Sequence, residues 1–90
     1  MPPKVAQMIR EQEEQKILKE FKKIGYESQS SPKNEKEFSM LSLNALIVIN
    51  KKTKEYIKVN CYSLSEFVPI SLKEHQLLHK LFEIWGWFDE

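Results

Sequence analysis

The stretch FSMLSLNALIVINKKTKEYIKVNCYSL, residues 38–64, decides the fold. Along it Leu46 and Val48 alternate with Ile47 and Ile49, and Tyr56, Lys58 and Asn60 alternate with Ile57, Val59 and Cys61. That period of two belongs to extended chain, whose successive side chains point to opposite faces. The β-branched content suits strands. NKKTKE, residues 50–55, is a polar turn between the two runs. The pair is therefore read as an antiparallel hairpin with a loop of about four residues. Ile57, Val59 and Cys61 are expected to face inward, and FSML, residues 38–41, offers a third, short pairing segment.

Outward from the hairpin the period changes to that of helices. In SLKEHQLLHKLFEIWG, residues 71–86, Ser71 and Glu74 have the spacing of a capping box, with Ser71 as N-cap and Glu74 three positions on. Pro69 stops any strand before that helix, and Gly86 fits the position just past its end. Leu78, Phe82 and Trp85 form one apolar stripe, read as core. Leu77, Leu81, Ile84 and Phe88 form a second, adjacent stripe, so the arc is wider than one sheet face covers. With Trp87 these four are the expected partner-binding residues, exposed in a monomer and buried against a protein partner or a second copy.

On the other side of the hairpin, residues 3–24 read as a helix. Pro2 and Pro3 suit its first turn, Lys19, Lys22 and Lys23 its last turns, and Gly25 its end. Ile17, Leu18, Phe21 and Ile24 make a stripe, whereas Val5, Met8 and Ile9 are cut off from it by the polar run REQEEQK. Residues 1–15 are accordingly expected to form a polar helical extension, with only the second half of the helix packed. Residues 27–37, ESQSSPKNEKE, lack apolar side chains and read as a flexible loop, with a short strand allowed near Tyr26.

The expected fold is therefore one α+β domain over residues 1–90, in the order α-β-β-α. A small antiparallel sheet, a hairpin with room for a third short strand, is covered by the N- and C-terminal helices. Hydrophobic residues are 41% of the chain and charged residues 30%, a balance that excludes a disordered class. The longest apolar run, ALIVI, is too short to span a bilayer, and MPPKVAQMIREQEEQ has no signal-peptide core. One cysteine forms no internal disulfide. A cytoplasmic location without membrane association is the simplest expectation. The abundance of Lys, Glu, Ile and Asn suits A/T-rich codons and hence a low-GC bacterial or phage source.

The chemistry-bearing residues are few. His75 and His79 lie one turn apart and share a helix face, the spacing of a metal-gripping pair. A zinc-protease helix needs Glu directly after the first histidine, and Gln76 stands there. No third ligand is evident, so no metal, cofactor or catalytic residue is assigned. Cys61 sits in a strand rather than in an exposed, electropositive setting. With only Gly25 and Gly86, a Gly-rich phosphate loop is excluded. No small-molecule substrate is indicated, and the chain is read as a non-enzymatic protein-binding module. The alternative is a nucleic-acid-associated protein using Lys51, Lys52, Lys54 and Lys58 on phosphates, since residues 33–58 carry net charge +3. Its one arginine, Arg10, lies far from that patch, which disfavours base reading.

LKEFKKIGYES, residues 18–28, the hairpin, PISLKEHQLL, residues 69–78, and WGWFDE, residues 85–90, together resemble small phage and prophage proteins of low-GC Gram-positive bacteria. In those, a helix ending in Leu-Gly-Tyr-Glu precedes a β-hairpin and a last helix ending in Glu-Leu-Gly-Trp. The resemblance runs over residues 17–90, and Ile24 and Trp85 replace the family's leucines. It implies a small antiparallel sheet flanked by helices. It also implies a binder of host or phage proteins, inhibitors of host defence among them, and it supplies no functional residues.

Overall fold

The computed structural model describes residues 3–88. Pro2 in the first helical turn and the chain's one aspartate, Asp89, lie outside them. The order is α1 (Pro3–Lys23), β1 (Glu27–Ser28), β2 (Glu37–Leu41), β3 (Ala45–Asn50), β4 (Glu55–Asn60), β5 (Ser63–Phe67) and α2 (Leu72–Ile84). The five strands form one antiparallel meander, each beside its sequence neighbour. The class is α+β as expected, but the sheet is larger than a hairpin with one added strand.

Register explains which face is core. Phe38 pairs with Ile49 and Ile49 with Tyr56, and Met40 pairs with Ile47 and Ile47 with Lys58. These rows face the helices. Phe38, Met40, Ile47 and Ile49 are fully buried in one cluster with Phe21, Tyr26, Leu77, Leu78 and Phe82. The facing of β4 therefore departs from the expectation, although Val59 is buried at 3% exposure. Ile57 is 44% exposed on the far side and Cys61 half-buried, while Tyr56 and Lys58 point inward. A lysine turns inward here because Glu74 waits for it: Lys58 Nζ lies 2.8 Å from Glu74 Oε1.

Both helices end in the same device. Gly25 has φ +103°, the Tyr26 N–H donates to the Phe21 carbonyl at 2.9 Å, and the Gly25 N–H to that of Lys22 at 3.1 Å. This is a Schellman ending, whose apolar contact is the edge-on packing of Phe21 and Tyr26, 5.9 Å between centroids. At the end of α2, Gly86 has φ +78°, Trp87 N–H donates to Phe82 and Gly86 N–H to Glu83, both at 3.0 Å. There Phe82 and Trp87 stack at 4.0 Å.

The start of α2 is the capping box read from the sequence. Glu74 N–H donates to Ser71 Oγ at 3.2 Å, and Ser71 N–H to Glu74 Oε1 at 2.7 Å. α1 packs on α2 from Glu14 onward, where the Trp85 indole N–H donates to the buried Glu14 carboxylate at 2.5 Å. N-terminal to that point Val5, Met8 and Ile9 are exposed. Residues 27–37 are not all loop, because Glu27 and Ser28 pair with Leu41 and Met40. β5 lies in what reads as a connector. Its pairing with β4 passes through an irregularity at Val59 and Asn60, and none of its residues is buried.

Candidate functional site: an aromatic groove beside the last helix

Leu77 and Leu81 were expected on an exposed partner surface; they are 2% and 0% exposed, and belong to the core. The reason is geometric. α2 meets the sheet on one side and α1 on the other, so both apolar stripes are covered. Ile84 and Trp87 are half-buried, and Phe88 is 54% exposed. Leu78 and Phe82 are core as expected, and Trp85 is half-buried.

What remains open lies one turn around α2. The exposed His75 and His79, half-buried Tyr56, Trp87 and the core ring of Phe82 line a groove of about 980 Å³ with Phe88 on its rim. Trp87 is fixed there by the Schellman turn and its stack on Phe82, and Tyr56 packs on Phe82 from β4 at 5.1 Å. Phe88 stacks on His79 at 4.8 Å and 24°. His79 Nδ1 lies 3.2 Å from Glu83 Oε1, an exposed contact that becomes an ion pair when the imidazole is protonated. Lys54, in the left-handed region at φ +60°, donates to the Trp87 carbonyl at 3.3 Å, and Lys80 and Gln76 complete the wall. Among the described residues the groove thus presents aromatic surface with Lys80 and two histidines beside one carboxylate, Glu83. Among the described residues no group of three or more His, Cys, Asp or Glu is placed to hold a metal.

The four lysines expected to form a phosphate-contacting patch are not one surface. Lys58 is in the buried pair with Glu74, its side chain 12% exposed. Lys51 donates to the Pro32 carbonyl and lies 4.2 Å above the Trp85 ring. Burial lowers the Lys51 pKa, against the opposing pull of Glu14 and Glu35. Lys54 is turned to the groove, which leaves Lys52 at the exposed tip. Asn50 Oδ1 shapes that tip by accepting from the Lys52 and Thr53 N–H groups at 3.0 and 3.1 Å.

At the start of α2 lies the polar hub of the domain. Glu74 accepts from Lys58, from the Tyr26 hydroxyl and from Ser71 N–H. Burial acts to raise its pKa, but the hydrogen bonds from Lys58, Tyr26 and Ser71 outweigh it and hold the carboxyl at about 2. Burial, then the bond to the Glu74 carboxylate, pushes the Tyr26 hydroxyl upward. The hub ties the α1–β1 turn, β4 and α2 together and serves structure.

Sequence reasoning missed Tyr56, Lys80 and Gln76 as groove residues. The available signal was a repeated spacing, Phe-x-x-x-Gly-aromatic, at FKKIGY (21–26) and FEIWGW (82–87), which marks a Schellman turn with an aromatic clamp.

Fold and groove define an α+β domain with two helices on one face of a five-stranded meander and an aromatic groove at the end of its last helix. No protein-family model, curated protein or solved structure matches the chain. Among the described residues no helix is long and apolar enough to cross a membrane.

Proposed function

We propose that the protein is a non-enzymatic, cytoplasmic protein-binding module that receives an acidic segment with an aromatic or aliphatic anchor in the α2 groove. The observation that carries this reading is the open groove itself, a shape that holds an apolar anchor. Trp, Tyr and Phe side chains are rigid and bury much area at small entropic expense, which is why such surfaces concentrate binding energy. Lys80 and the histidines favour acidic residues beside the anchor, through attraction that speeds encounter and fixes register. The resemblance to small phage and prophage proteins makes a host protein, a defence component included, the first partner class to test.

The test is capture of partners from a host lysate on the tagged full chain, followed by reconstitution of each candidate with purified protein. Phe88→Glu and His79→Glu, both at exposed positions, should raise the dissociation constant at least about tenfold, because each removes a ring from the groove and sets a negative charge against an acidic partner. Lys52→Glu should leave it unchanged. A reconstituted complex indifferent to both groove variants refutes the reading.

A further inference from the structure

The sheet has a second face, and it is not built for water. An antiparallel sheet with one side free normally carries polar residues there. Here the row Leu41–Leu46–Val59–Phe67 and the pair Val48–Ile57 point away from the helices. Phe67 is 73% exposed and Ile57 44%; Leu41, Leu46 and Val48 are half-buried, and Val59 between Leu46 and Phe67 is covered, at 3%. The same parity puts Glu37 and Glu55 at one end of this face and Glu27 at the other. None of the three forms an ion pair with any described residue. No lysine or arginine occupies a strand position on this face.

The chain carries the complement of this surface at the start of α1. Residues 3–10 hold Lys4 and Arg10 and no acid. Val5, Met8 and Ile9 are 43%, 58% and 40% exposed. This half-exposed apolar cluster lies on the part of α1 that precedes its packing on α2 at Glu14. Eight helical residues extend about 12 Å at 1.5 Å each. A strand rises about 3.3 Å per residue, so a tip laid along the strands matches the roughly 13 Å from the Glu37–Glu55 end of the face to the Glu27 end, four residues along β2.

We infer that the first two turns of α1 dock on the open sheet face of a second copy of this chain. Val5, Met8 and Ile9 cover Leu46, Val48 and Ile57, and Lys4 and Arg10 meet the glutamates at the ends of the face. This surface is separate from the groove and does not depend on the reading of it. Face-to-face packing of two sheets is disfavoured, because it sets two acidic rims against each other.

Sedimentation equilibrium of the full chain over a wide concentration range tests this. Wild type should exceed monomer mass, and added salt should weaken association. Ile9→Glu and Ile57→Glu should each weaken it at least tenfold. Two charge-reversed chains are decisive and alter only exposed side chains: one with Lys4→Glu and Arg10→Glu, the other with Glu37→Lys and Glu55→Lys. Each alone should be monomeric, and their mixture should associate about as tightly as wild type. A monomer at all concentrations overturns the inference. So does association that survives Ile9→Glu, or a charge-reversed mixture that stays monomeric.

Discussion

Replacement of Glu74 by glutamine probes the hub at the start of α2. The carboxyl is held at about 2 against an ordinary 4.5. At about 1.4 kcal/mol per pH unit, that difference is worth about 3 kcal/mol of stability. Because the folded value is depressed, this contribution is fully present above pH 4.5 and is lost as pH falls through about 2. Glutamine keeps an oxygen for the Ser71 N–H but leaves the Lys58 ammonium buried without its counter-charge. Removing one member of a buried pair costs about 3–5 kcal/mol. Urea titrations followed by tryptophan fluorescence at pH 2, 3.5, 5 and 7 read both effects. The variant should lose about 3–5 kcal/mol at pH 7, and its decline from pH 5 to 2 should be smaller than wild type's by about 3 kcal/mol. Adding Lys58→Met should recover much of the loss, since no unpaired buried charge then remains. An unchanged acid limb, or a double variant no more stable than Glu74→Gln, refutes the assignment of the hub.

Leu78→Ala should destabilise the fold by about 2–5 kcal/mol in thermal or urea melts. Leu81→Glu, at a position with no exposure, should unfold the chain rather than merely disrupt association. A well-folded Leu81→Glu protein refutes the core placement. Purified protein should contain no stoichiometric zinc by elemental analysis, and His75→Gln with His79→Gln should not change its metal content. Nucleic-acid affinity, read by fluorescence anisotropy, should be weak, sequence-independent and steeply reduced by salt, since the hairpin lysines do not form one surface. Tight sequence-selective binding in moderate salt, lost in Lys52→Glu, contradicts this.

How far the fold is legible depends on where each signal is local. The capping box at Ser71 and Glu74, the glycine stop at Gly25 and the hairpin at residues 45–60 rest on neighbours within four residues or on an unbroken period, and all three read through. β5 does not, because SLSEF is an edge strand with no buried face and so no alternation to detect. β1 is two residues long, too short for any period. Lys58 was misplaced on β4 because it looks like a solvated residue until Glu74, 16 positions away, is seen to pair with it. The wide arc of α2 is visible in the sequence, but its burial depends on α1 lying beside it. That contact passes through Glu14 and Trp85, 71 residues apart. The histidines were correctly set on one helix face, while the aromatic groove they line is assembled by a Schellman turn and a strand residue that no single window contains.

The most direct measurement of the groove is a proton–nitrogen correlation spectrum of the full chain during titration with a reconstituted partner. The Trp87 indole and the His75 and His79 imidazoles should shift or broaden first, with the Trp85 indole, bonded to Glu14, moving little. Perturbation confined to the Lys52 turn or to the open sheet face, with the Trp87 and histidine signals unmoved, would contradict the account.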